Sequence, residues 1–194
     1  MMRGRAKLEA VWFTHRTLWS VLQDLRQALD REPESVRSLG LAILLLAHNC
    51  FEAYLNYATE MLFADSPCEQ AIARYRGVMG KFNRIVDEIS LAVDRCGRPY
   101  RTVRELKAWR DGVVHPKIER QERVVPHEDP KYLKNLETEF FRLVTLKFID
   151  RAIEDVEALC DVVEAEAHRR HPVKFLGPGA FKGILGEGGG HLLN

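Results

Sequence analysis

Three side chains suited to acid–base and phosphate chemistry lie within six residues, from Arg110 to His115. Arg110 is a permanent cation that can bind a phosphate, and the charge of His115 changes near neutral pH. Asp111 and His115 are four residues apart, so a helix would bring them into contact. Arg110 would lie about 140° from His115 around the axis, so that the two flank one broad face. The trio therefore offers a base, a carboxylate to orient it and a cation for a charged substrate.

The position of His115 adds to this interpretation. Pro116 follows it directly, and a residue before proline is disfavoured in the α region, so the helix should end at His115. The helix dipole and Asp111 favour the protonated imidazole, whereas Arg110 opposes it. His115 could then act as a general base or acid. In the alternative interpretation, Asp111 and His115 only cap a helix end and Arg110 is solvated.

An earlier helix carries a narrow polar stripe beside its apolar face. Asn49, Glu52 and Asn56 fall at positions i, i+3 and i+7, which lie along one side of a helix. If the stripe faces the Arg110 motif, Glu52 could form an ion pair with Arg110 and fix its side chain. The alternative is a solvated helix edge, with His48 serving as the i,i+4 partner of Glu52.

A charged connector follows His115. Its cations are Lys117, Arg120 and Arg123. They are the natural phosphate contacts if the neighbouring motif is a reaction site. Because acidic residues alternate with them, the connector could equally be a solvated loop.

The motif resembles a known family pattern. An arginine, a polar residue, three further residues and a histidine on a late helix resemble the HEPN superfamily motif, here Arg110 to His115. The segment His48–Asn56 looks like the other recurring segment of that family. The resemblance covers roughly residues 35–165 in organisation, and only these two stretches in residue detail. It implies a helical bundle that dimerises across the motif helices.

The same resemblance implies a function. Many members of the superfamily are metal-independent RNA endonucleases, often toxins or antiphage effectors. The implied catalytic set is Arg110, Asp111, His115 and Glu52, acting on RNA through its 2′-hydroxyl without a cofactor. The expected partners are a second copy of the chain, RNA and an antitoxin or other protein. Other members have lost catalysis, so the alternative is a non-catalytic module that binds a protein or a nucleotide.

Composition restricts the other classes of function. The chain has 194 residues and a formal net charge of +1, so any affinity for RNA must come from local clusters of charge. The four cysteines are widely separated, which predicts neither a zinc site nor a disulfide framework. The basic first residues lead into a charged amphipathic segment, unlike a signal peptide. The longest apolar run, Leu39–Ala47, is shorter than the ~20 residues of a membrane span. We therefore expect a cytoplasmic protein without metal or membrane.

Hydrophobic periodicity is helical almost throughout. It predicts five helices at about residues 6–31, 35–63, 68–95, 100–115 and 131–168. These should form an all-α, up-and-down bundle in one domain over residues 1–171, and we expect it to be dimeric. The glycine-rich tail, residues 172–194, is expected to be poorly ordered unless it docks on the bundle.

Overall fold

A computed structural model of the chain confirms an all-α helical bundle. It describes residues 5–63, 76–115, 141–175, 179–183 and 186–193, the first and last strands by their backbone alone. Five α-helices occur in these ranges: α1 (Thr14–Arg31), α2 (Val36–Phe63), α3 (Gly77–Glu88), α4 (Tyr100–Val114) and α5 (Leu146–Arg170). Two short 3-10 turns, Pro33–Ser35 and Phe141–Leu143, precede α2 and α5.

The second helix is the centre of the bundle. It contacts each of the other four helices, and apolar residues occupy most of its circumference, as expected of a helix surrounded by protein. Its fully buried side chains include Ile43, Leu44, Tyr54 and Leu55. The predicted span of residues 35–63 agrees with the observed Val36–Phe63 to within one residue.

The same helix bears on the expected absence of a membrane. Within the described part of the chain, one helical stretch, Pro33–Phe63, is long and apolar enough to cross a bilayer by length and composition. Half of its most apolar window is buried inside the bundle, and the core helix of a soluble protein passes the same test. The cytoplasmic location and the absence of a membrane therefore stay predictions.

The first predicted helix begins later than expected. Residues Arg5–Trp12 form a strand, β1, that pairs antiparallel with a second strand, β2 (Gly186–Leu193). The sequence of β1 alternates small or apolar residues with mostly charged ones, a period of two that also suits a strand. Its pairing partner lies about 180 residues away and is rich in glycine, so no local signal marks it.

Two other helix boundaries differ from prediction. The third helix ends at Glu88, before Ser90, whose φ of 48° is in the left-handed region that a helix cannot contain. The last helix begins at Leu146, where the Thr145 side chain caps it by accepting a hydrogen bond from the Phe148 N–H at 3.2 Å. The first part of that predicted helix, residues 131–140, lies outside the described residues.

The described part of the tail docks on the bundle. Phe175 and Phe181 are buried, and the Phe181 ring stacks on Trp19 of α1 with 4.2 Å between ring centroids. The Ala180 N–H donates a hydrogen bond to the Asp161 carboxylate of α5 at 2.8 Å. Phe175, Ala180 and Phe181 therefore belong to the hydrophobic core, which the glycine-rich composition of the tail did not predict.

A buried histidine under this tail predicts acid sensitivity. His15 is 1% exposed, and burial, followed by the Arg16 charge, lowers its pKa from 6.5 to about 4. Between these two pH values, His15 is protonated in the unfolded chain and neutral in the folded chain. The free energy of unfolding therefore falls as the pH drops below 6.5. His15 alone should account for up to about 3 kcal/mol between pH 6.5 and 4. Urea unfolding at several pH values measures this, and His15→Phe should show a shallower fall. Equal slopes for the two proteins would contradict the assignment.

Candidate functional site

The end of α4 is held against the core and presents the motif at its last turn. Val103, Leu106 and Trp109 are buried and fix the rotation of the helix. The helix ends at Val114, and His115 is its C-cap, with its backbone N–H donating to the Asp111 carbonyl at 3.0 Å. The predicted helix of residues 100–115 is confirmed, including its end before Pro116.

Asp111 is an anchor for cations on this last turn. Its carboxylate accepts hydrogen bonds from Lys107 Nζ at 2.5 Å and from Arg110 Nη1 at 3.3 Å. Lys107 and then Arg110 lower the pKa of Asp111, so the group stays ionised at neutral pH. Asp111 therefore positions Arg110, the residue that the sequence assigns to phosphate.

The predicted contact between Asp111 and His115 does not form. In the described part of the chain, the Asp111 carboxylate is paired with Lys107 and Arg110. The His115 ring has no hydrogen-bond or ion-pair partner there. His115 has a φ of −117°, far from the helical value of about −63°, which turns its side chain out of the i,i+4 alignment that the contact needs. The imidazole is instead exposed at the helix end and accessible to a ligand.

The sequence missed the importance of His48, which lies behind Arg110. His48 is 1% exposed on α2, and neither ring nitrogen has a hydrogen-bond partner among the described residues. Burial and then the positive charge of Arg110 lower its pKa, which keeps the ring neutral. The predicted pairing of His48 with Glu52 is thus wrong. Its spacing from Leu44 and Phe51 would have placed it on the apolar face.

The polar stripe of α2 is engaged by α3. Lys81 Nζ donates a hydrogen bond to Asn56 Oδ1 at 2.6 Å and lies 4.0 Å from Glu52 Oε1. The predicted ion pair between Glu52 and Arg110 is absent from this part of the structure, because α3 places Lys81 beside Glu52. Asn49 is exposed. Glu52 still lies close enough to His48 to act on its pKa, as does Arg110, so the stripe borders the motif.

The remaining candidate residues are not described. Lys117, Arg120 and Arg123 lie outside the described residues. In the described ranges, no group of three or more histidine, cysteine, aspartate or glutamate side chains could hold a metal ion. A Cβ atom added at Gly112 would meet nothing within 4 Å, so the space beside the motif is open.

The site thus joins an anchored guanidinium to an exposed imidazole at the end of one helix. Such a pair can bind an anion and exchange a proton with a ligand. Comparison of the chain with protein-family models, with curated proteins and with solved structures finds no match.

Proposed function

We propose that the chain is a metal-independent RNA endonuclease of the HEPN kind. The observation that carries the proposal is the last turn of α4. There Asp111 holds the Arg110 guanidinium, while the His115 imidazole stays exposed and free of partners among the described residues. A cation held beside an exposed histidine is what a phosphodiester cleavage by internal attack requires.

In the proposed reaction, His115 accepts the proton of a ribose 2′-hydroxyl. The 2′-oxygen forms a bond to the adjacent phosphorus, and the bond to the 5′-oxygen of the next nucleotide breaks. The products are a 2′,3′-cyclic phosphate and a 5′-hydroxyl. Arg110 stabilises the charge that grows on the phosphoryl oxygens, and Asp111 positions Arg110. The need for a 2′-hydroxyl selects RNA over DNA.

A second copy of the chain completes the proposed site. The leaving 5′-oxygen needs a proton, and each motif contains a single histidine. A two-fold dimer that packs across the motif helices would bring a second His115 to the same cleft. The open space beside Gly112 supports such an approach. In this setting the protein would act in the cytoplasm as a toxin or antiphage effector that an antitoxin restrains.

One observation favours a second candidate function. Asp111 is engaged by Lys107 and Arg110 and leaves His115 without an orienting carboxylate. A histidine that is not oriented is a weaker base catalyst. The same residues would then form a non-catalytic module that binds the phosphates of a nucleotide, or an acidic segment of a partner protein.

The mechanism predicts that cleavage is unaffected by metal chelators and requires the ribose 2′-hydroxyl at the cut site. Purified protein should cut single-stranded RNA equally well with and without EDTA, because no step uses a metal. A 2′-deoxy substitution at the mapped cut site should abolish cleavage there, because the nucleophile is gone. A 2′-deoxy substitution elsewhere in the same RNA is the control. Light scattering of the same sample should give a dimer mass. Loss of cleavage in EDTA with recovery in magnesium, or cutting at the deoxy position, would contradict the mechanism.

A further inference from the structure

A second feature of α4 is a shallow pocket near the start of the helix. It has a volume of about 490 Å³. The described residues that line it are Arg95, Cys96, Arg101, Arg104, Glu105 and Ala108. The pocket lies outside the Arg110–His115 motif, and no step of the proposed reaction uses its residues.

A fixed turn brings the first of these arginines to the helix. The Asp94 carboxylate accepts a hydrogen bond from the Cys96 N–H at 2.9 Å, and the Arg101 N–H donates to the Gly97 carbonyl at 2.9 Å. These bonds join the turn to the first turn of α4, so Arg95 lies beside Arg101 in the pocket lining. The turn that carries Arg95 is therefore held to the start of α4 by backbone hydrogen bonds.

The arginines of this pocket have no ion-pair partner among the described residues. Within the described residues, no ion pair is formed by Arg95, Arg101 or Arg104, while the one lining carboxylate, Glu105, is paired with Arg151 at 2.8 Å. Three guanidinium groups that share one pocket repel each other, which costs stability. A bound polyanion would remove that repulsion. In a chain of net charge +1, this pocket is a local cluster of positive charge of the kind that RNA binding requires.

The pocket and the motif share one face of α4. Arg104 and Asp111 are seven residues apart, which on an α-helix corresponds to nearly the same direction and about 10 Å along the axis, and His115 follows as the C-cap of the same helix. Ala108, which also lines the pocket, lies between them on that face. A strand that follows this face would pass from the pocket to His115.

The residues that line the pocket indicate which part of a nucleic acid it would bind. None of its described lining residues is aromatic. The Arg104 guanidinium lies 5.9 Å from the centre of the Tyr100 ring, which is buried. Bases bind to single-strand sites largely by stacking on aromatic rings, whereas guanidinium groups bind phosphates.

We propose that the pocket of Arg95, Arg101 and Arg104 binds the phosphodiester backbone of single-stranded RNA and leads the strand along α4 to His115. This assignment rests on the proposed function for its substrate and on the pocket for its location. Contacts to phosphate alone should give binding with little dependence on base sequence and a strong dependence on salt.

The test is a binding titration with RNA that cannot be cut. Fluorescence anisotropy of a labelled 2′-O-methyl single-stranded RNA is measured with wild type and with the Arg101→Gln/Arg104→Gln double variant over a series of salt concentrations. Affinity at low salt should fall on the order of tenfold, and the slope of log K against log salt should decrease by about 1.4 for two phosphate contacts. Single-stranded DNA of the same sequence should bind comparably to wild type, and circular dichroism checks folding.

A matched control and a footprint support the titration. Arg31→Gln removes an exposed arginine of α1 and should leave the affinity and the salt slope unchanged. In a Cys68→Ser background, the rate of alkylation of the exposed Cys96 should fall when RNA is added, while Cys50 and Cys160 are buried. Wild-type affinity in the Arg101/Arg104 variant, or unchanged Cys96 alkylation, would overturn the proposal. Displacement of RNA by polyglutamate at equal charge concentration would also overturn it, in favour of an acidic protein partner.

The two proposals fail in different ways. If wild type binds RNA through this pocket and cuts none, the pocket assignment stands and the nuclease does not. If wild type cuts RNA and the Arg101/Arg104 variant retains the wild-type KM, the nuclease stands and the pocket assignment is overturned.

Discussion

Replacing His115 with alanine should slow RNA cleavage by about 10²–10⁴-fold, the usual contribution of a general base. Arg110→Ala should cost about 10²–10³-fold, because it removes the group that stabilises the phosphoryl charge. His115 is exposed, so its loss should change the free energy of unfolding by about 1 kcal/mol or less. Initial rates on a single-stranded RNA, together with urea unfolding of each variant, measure both quantities.

Two further variants separate catalysis from general damage. Glu52→Gln should weaken cleavage less than either motif change, because Glu52 contacts Lys81 and borders the motif without reaching Arg110. Arg31→Ala removes a surface arginine on α1 and should cut like wild type. Wild-type rates in His115→Ala would show that the motif had been assigned the wrong role.

Phe175→Ala should destabilise the protein by about 3–5 kcal/mol, the usual cost of removing a buried phenylalanine ring. Phe175 is fully buried, its ring lies 5.9 Å from that of Tyr57, and its carbonyl contacts His168 Nδ1 at 2.5 Å. The tail residue therefore contributes as a core residue would. The midpoint of urea unfolding, with the slope of the transition, measures the change.

Val173→Ala is the matched control for this prediction. Val173 lies two residues before Phe175 in the same tail and is 88% exposed, so its truncation should change stability by at most about 0.5 kcal/mol. Equal effects of the two substitutions would contradict the docking of the tail on the bundle.

The helix boundaries that the sequence predicted well are marked by a nearby proline. Pro33 lies shortly before α2, and Pro116 follows the motif helix, so each proline marks a boundary that the structure then shows. The start of the first helix was predicted wrongly because no local signal marks it. The strand of residues 5–12 depends on pairing with Gly186–Leu193, a contact between the two ends of the chain that no window of local sequence contains.

Within the candidate site, the sequence predicted the position of the motif correctly, but it did not predict the partners of the individual side chains. The position of the motif at a helix end follows from Arg110 to Pro116 alone, and the structure has it there. The partner of Asp111 does not follow, because two cations compete for one carboxylate and the backbone turns away at His115. Lys81 reaches the polar stripe from α3, whose packing angle depends on the whole core.

The most direct test of the account is the chemistry of the RNA ends. Wild-type protein is incubated with a labelled single-stranded RNA of mixed sequence in EDTA, and the products are analysed by mass spectrometry. The proposed mechanism predicts 2′,3′-cyclic phosphates on the upstream fragments and 5′-hydroxyl groups on the downstream fragments, both absent with His115→Ala. Fragments that end in 3′-hydroxyl and begin with 5′-phosphate, or intact RNA with wild type over a diverse set of substrates, would contradict it.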